Sequence, residues 1–323
     1  MLFFAALTYA QNTAGITGVR DTSFNTASEY RKLKPKYPQL DTVARARLRG
    51  VRERFDISFC TIGNRALQLD AFFPKKKRQR NGAAIVLLHG GGWRSGDRTQ
   101  QHEMARRLAA RGYVCFTPEY RLSTEALYPA AVHDGKAALR WVHEHAGSYG
   151  VDTSKIAVLG FSSGGELAAF LATTQQHRSY EGAGCSQQSS STVHALIDID
   201  GTLSFVHPES GEGDDSKRKS AATLWFGYGK QENLPLWKDA SPLAHVDART
   251  PPTLFINSGV ARMHAGRSDF LQVLRTHNIF SEVQEFRDAP HAFPLFHPWF
   301  EPTIGHVDAF LKKVFFNDAR NAR

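Results

Sequence analysis

Residues 83–89, "AAIVLLH", are apolar almost throughout. A run of this kind suits a strand covered on both faces, which requires a sheet with layers above and below it. Strand-like and helix-like segments alternate from there. "GYVCFTP" from Gly112 reads as strand, "PAAVHDGKAALRWVHEHA" from Pro129 as helix with Val132, Leu139 and Val142 near one face, and "KIAVLG" from Lys155 as strand. A helix follows from Ser163 to about Thr174. "VHALIDID" and "PTLFINS" supply further strands, "RSDFLQVLRTH" a helix, "SEVQEF" a strand and "IGHVDAFLKKVFF" a last helix. This order predicts an α/β fold in which a mostly parallel sheet of about eight strands lies between helices. Upstream, "VRERFDISF" (51–59) and "ALQLDAFF" (66–73) read as two adjacent antiparallel strands.

Two regions interrupt the alternation. Residues 179–192 are rich in Ser, Gly and Gln and read as a surface loop. Residues 201–250 carry "HPESGEGDDSKRKS" and then "LWFGYGKQENLPLW", an insertion expected to cross the carboxyl edge of the sheet and shape a cleft. The division expected is a leader at 1–10, an N-terminal extension at 11–49 and a single catalytic domain at 50–323. The leader, "MLFFAALTYA", is similar to the core and cleavage site of a secretory signal peptide without its basic start, which points to a secreted or periplasmic protein. Ten residues are too few to cross a bilayer, so no stable membrane insertion is expected. The three cysteines, Cys60, Cys115 and Cys185, outline neither a disulfide framework nor a metal cluster, and Cys60 and Cys115 read as buried thiols. The formal charge of +9 accompanies no nucleic-acid-binding pattern, and the one basic run, Lys75 to Arg80, reads as a solvated turn. No nucleic-acid partner is expected.

Gly160-Phe161-Ser162-Ser163-Gly164 stands between an apolar strand and a helix. Small neighbours permit a tight strand-to-helix turn that lifts the Ser162 hydroxyl to the helix amino terminus, where backbone donors stabilise negative charge. His89-Gly90-Gly91-Gly92-Trp93 follows another strand, and its glycines let backbone N–H groups approach a developing oxyanion. Gly91, Gly92 and Ser163 are the expected oxyanion donors.

With both motifs in place, the chain resembles an α/β-hydrolase, within the broad group of microbial carboxylesterases similar to hormone-sensitive lipase. "HGGGWRSGD", "YRLS…YPAAVHDGKAALRW" and "GFSSGG" resemble most the secreted Bacteroidetes-type carbohydrate esterases, including acetyl, feruloyl and pectin esterases. The resemblance covers about residues 50–316. It implies a serine esterase that needs no cofactor or metal and removes acetyl, methyl or feruloyl groups from esterified oligo- or polysaccharide such as pectin or xylan. "DAPHAF" (288–293) resembles the segment carrying the catalytic histidine, which makes His291 the base ahead of His297 and His306. An aspartate is then expected shortly after "PTLFINS", yet the chain reads "GVARMHAGRSD" there, with Arg262 near the expected position. An arginine cannot orient a histidine N–H. Asp200, ending "HALIDID", is the first candidate acid and Asp269 the alternative, with Asp247 and Asp288 behind them. Arg262, His264 and Arg267 are expected at the cleft rim, where guanidinium suits a uronate carboxylate, and Trp93, Trp225 and Trp299 offer flat faces to sugar rings. A serine exopeptidase and a non-catalytic carbohydrate binder are the other readings left open.

Overall fold

The structure is a computed structural model that describes residues 10–45, 48–175 and 177–316. The leader-like stretch, apart from Ala10, lies outside them. Eight strands form the central sheet: β1 (Val51–Ile62), β2 (Arg65–Pro74), β3 (Ala84–Leu88), β4 (Val114–Pro118), β5 (Ile156–Phe161), β6 (Ala195–Ile199), β7 (Thr253–Ser258) and β8 (Ser281–Phe286). Their spatial order is β1-β2-β4-β3-β5-β6-β7-β8, and every pair from β4 to β8 is parallel, while β2 runs antiparallel to both its neighbours.

The middle of the sheet is covered on both faces, and successive residues of its central strands divide between the two layers. Ala84, Val86 and Leu88 face one core, while Ala83, Ile85 and Leu87 face the other. The first core packs against α3 (Ala130–Tyr149), α4 (Ser163–Thr173) and α7 (Arg267–Thr276). The second packs against α2 (His102–Ala110) and α8 (Phe300–Phe315). Burial on both faces explains why β3 lacks the alternation of a half-exposed strand. All eleven residues of α4 are buried, so the helix carrying the serine is held between the sheet and the 201–250 insertion. That insertion contributes α5 (Ala221–Phe226) and α6 (Leu234–Asp239).

The N-terminal segment is ordered by contacts to the body. Asn25 and Ser28 form a reciprocal cap at the start of α1 (Thr26–Leu33): the Ser28 N–H donates to Asn25 Oδ1 at 2.9 Å and the Asn25 N–H to Ser28 Oγ at 3.0 Å. Upstream, the Asn12 N–H donates to the Gly227 carbonyl and the Gly96 N–H donates to the Asp21 carbonyl. Downstream, Asp41–Thr42 pairs antiparallel with Phe296–His297. Arg20 reaches the buried Glu119, which Arg65 and Arg98 also contact.

The cysteine expectation is corrected. Cys60 and Cys185 form a disulfide, tying the end of β1 to the loop before β6, with a Cα–Cα distance of 5.3 Å. Cys115 alone is a buried free thiol. Spacing in sequence could not show this, because the partners are 125 residues apart and meet only once the sheet and the 179–192 loop are folded.

Candidate active site

β5 ends at Phe161, and Ser162 takes φ 58° and ψ −124° before α4 begins. This strained backbone is what lifts the side chain out of the turn. Its N–H donates to the Ile199 carbonyl at 2.8 Å, and its carbonyl accepts from Gly165 and Glu166, so the turn is fastened on both sides. The flanking glycines are steric requirements. A Cβ on Gly160 would stand 1.8 Å from the Gly164 carbonyl oxygen, and one on Gly164 would stand 2.4 Å from that of Leu88.

His291 Nε2 lies 2.8 Å from Ser162 Oγ, and His291 Nδ1 lies 3.0 Å from Asp200 Oδ2. The carboxylate is fully buried and comes from the end of β6. It is received by the end of β7, where the Ser258 N–H donates to Oδ1 at 2.8 Å and the Ser258 hydroxyl to Oδ2 at 2.5 Å. Asn257 Nδ2 approaches Oδ1 at 3.4 Å. Asp200 therefore sits among hydrogen-bond donors and holds one orientation toward the imidazole. Asp269 does not reach the histidine: it is largely exposed and faces His207 at 3.5 Å. The sequence reading had not singled out Ser258; its signal was a serine ending the strand beside Asp200.

Gly91 (φ 136°) and Gly92 (φ 62°) stand across the cavity from α4, in backbone conformations that favour glycine. The amides of Gly91, Gly92 and Ser163 have no hydrogen-bond acceptor among the described residues. The Gly90 amide is already used by Gln100 Oε1 at 2.8 Å. His89 supports the loop from beneath. It is fully buried, stacks on Tyr120 with ring centroids 4.3 Å apart, and burial pushes its imidazole down to about 4, so it is neutral. Its carbonyl accepts the Tyr120 hydroxyl at 2.8 Å.

Ser162, Ser163, Asp200, His291, Gly91, Gly92, Trp93 and Arg262 all line one cavity of about 360 Å³. Phe24, just before α1, and Glu29, Lys32 and Leu33 on it form another part of its wall, so the N-terminal extension contributes to the site. The insertion supplies Glu212, Arg218 and Ala221.

The remaining binding expectations need correction. Trp299 is buried in the second core with an edge contact to Tyr37, and Trp225 is fully buried and stacks on Trp93 at 4.8 Å. Neither gives a face to a sugar. Trp93 reaches the cavity but is itself almost wholly buried, its indole N–H donating to Glu166 Oε2 at 2.8 Å. Burial, opposed by that indole bond and reinforced by the nearby Asp198, pushes the Glu166 carboxyl well up. Arg267 turns away to Asn257 Oδ1 at 2.8 Å and Glu285 Oε1 at 2.9 Å. His264 is half-buried outside the cavity lining, and burial lowers its basicity. No group of three or more His, Cys, Asp or Glu among the described residues is placed to hold a metal ion, and no helix among them is long and apolar enough to cross a membrane.

Residues 69–261 match the BD-FAE family model. The chain belongs to the BD-FAE family. This BD-FAE chain is 28% identical over 265 residues to the esterase LipC of Mycobacterium tuberculosis, covering 79% of the chain and 64% of that relative. It spans 44–64% of the length of the curated relatives it matches first. Among solved structures, the butyrate-bound esterase Est2 of Thermogutta terrifontis is 25% identical with a TM-score of 0.66, covering 83% of this chain and 95% of that one. A truncated carbohydrate esterase from gut microbiota, 21% identical with a TM-score of 0.68, shares the fold over 81% of this chain and 96% of its own.

Proposed function

We propose that the protein is a serine carboxylic-ester hydrolase acting on esterified glycan, with Ser162, His291 and Asp200 as nucleophile, base and acid. The observation that carries this is the unbroken relay Ser162 Oγ, His291, Asp200 at 2.8 and 3.0 Å, in a cavity that also presents the amides of Gly91, Gly92 and Ser163. As the Ser162 oxygen attacks the ester carbonyl, His291 Nε2 takes its proton, and Asp200 accepts a hydrogen bond from Nδ1–H and stabilises the imidazolium. The three amides receive the carbonyl oxygen as it gains charge, each worth about 3 kcal/mol in the transition state. The imidazolium then protonates the leaving alcohol, and the neutral imidazole activates water to release the acid.

The esterase relatives support ester chemistry, and the carbohydrate-esterase neighbour supports a glycan as one half of the ester. Acetyl, methyl or feruloyl groups on pectin or xylan are the substrates we assign. The Cys60–Cys185 disulfide favours an oxidising compartment, consistent with secretion or a periplasmic location. The place of Asp200 beside His291 favours catalysis over a non-catalytic binder, the reading that Arg262 at the usual acid position suggests. The test is release of acetate, methanol and ferulate from pectin and xylan by wild type and Ser162→Ala side by side. Serine-dependent release of one product supports the assignment. Folded wild-type protein that releases none of them overturns the glycan-ester reading.

A further inference from the structure

The catalytic cavity opens into a broader groove of about 1000 Å³, and the two share Gly91, Gly92, Glu212, Arg218, Ala221 and Arg262 in their walls. The groove runs along the 211–221 segment of the insertion. Five cationic side chains line it: Arg94, Lys217, Arg218, Lys219 and Arg262. Three acids also lie there, each with one oxygen engaged by a backbone amide. Glu212 Oε2 accepts from Ala222 N at 2.9 Å, Asp214 Oδ1 from Ser216 N at 3.2 Å and Asp21 Oδ1 from Ser23 N at 2.8 Å. By contrast Arg218, Lys219 and Arg262 are exposed and form no ion pair among the described residues.

Several arginines of the body are matched to carboxylates, among them Arg121 to Asp134, Arg106 to Glu53, Arg98 to Asp70 and Arg267 to Glu285. The two guanidinium groups that border both the nucleophile's cavity and the groove have no such carboxylate among the described residues. A planar fork of donors matches a carboxylate in two parallel hydrogen bonds, which a lone lysine cannot reproduce. A Cβ on Gly92 would stand 3.0 Å from that of Ala221, so the glycine loop abuts the insertion where the groove and the nucleophile's cavity share their wall.

We propose that Arg218 and Arg262 form a subsite for a uronate carboxylate, so that the preferred substrate is an ester on an acidic oligosaccharide whose charged residue lies in the groove. This rests on the ester-hydrolase reading above and extends it by naming the charge of the alcohol. It also replaces the expected Arg262, His264 and Arg267 rim with a pair drawn from two different loops.

The experiment compares two esters with the same acyl group, one on a uronate-containing xylo-oligosaccharide and one on its neutral counterpart, using wild type and the Arg218→Gln/Arg262→Gln double variant. The expected result is that wild type favours the acidic substrate through KM. The double variant should lose about tenfold more kcat/KM on the acidic substrate than on the neutral one. Raising salt from about 0.05 to 0.5 M should shrink the wild-type preference, because exposed charges are screened. Equal kcat/KM on both esters in wild type overturns the subsite and leaves the hydrolase reading standing. If neither ester is cleaved, binding of the ester-free acidic and neutral oligosaccharides to Ser162→Ala decides the subsite separately from the chemistry. Binding of the acidic one that weakens when Arg218→Gln and Arg262→Gln are added to Ser162→Ala supports the subsite, and equal binding overturns it.

Discussion

At the scale of single residues, the relay makes unequal demands on the two aspartates that sequence alone left in contention. Asp200→Asn preserves the shape of the buried site but cannot accept the Nδ1 proton donor as a charge, and it should lower kcat by about 10⁴-fold. Asp269→Asn should stay within about twofold of wild type, since Asp269 is exposed and faces His207. Steady-state kinetics on a small activated ester separate the two outcomes. His89 carries a second residue-level consequence. Its folded value, near 4, lies below the ordinary 6.5, so the fold holds the imidazole neutral and the unfolded chain takes up the proton first. The associated stability is fully present above pH 6.5 and lost as pH falls toward 4, about 3 kcal/mol in all. Urea unfolding at several pH values should show a slope in that window, reduced in His89→Phe.

At the scale of elements, the turn between β5 and α4 tolerates no side chain at its glycines. Gly164→Ala would drive a methyl group into the Leu88 carbonyl, and the expected result is loss of several kcal/mol of stability with little soluble protein. That element was legible in sequence, because the strand, the small residues and the helix are contiguous. The glycine loop at 90–92 was legible for the same local reason, whereas His291 was placed by the resemblance of "DAPHAF" to the family's histidine segment. The acid was only partly so: Asp200 and His291 are 91 residues apart, and the choice among carboxylates depends on where β6 and β7 end relative to each other. Least legible was α1, whose capping pair is local but whose contact with the cavity is not. Phe24 and Leu33 add apolar wall there, and Phe24→Ala should raise KM for esters with a bulky acyl group more than for acetyl esters. A series of aryl and acetyl esters measures that difference.

At the scale of the whole molecule, contacts distant in sequence hold the parts in place. The disulfide joins β1 to the 179–192 loop across 125 residues, and its reduction should lower stability by about 2–5 kcal/mol, read as a fall in Tm with dithiothreitol. Sequence missed this pairing because each cysteine, taken alone, sits in an ordinary setting: Cys60 in an apolar strand and Cys185 in a polar loop. The N-terminal segment is tied in by charge, through Arg20 on Glu119. Burial resists ionisation of Glu119 and Asp70, but their arginine and histidine partners and backbone donors outweigh it and hold both below the ordinary carboxylate range. Stability from this network is present above about pH 4.5 and lost as pH falls through the folded values, a window below that of His89. With Asp200 from the end of β6 as the proposed acid and Ser258 at the end of β7 only steadying it, the segment beyond Ser258 takes no part in proton handling. Residues 259–264 can therefore diversify as a recognition loop, and libraries built there should retune which esters are chosen while leaving the machinery of bond cleavage intact.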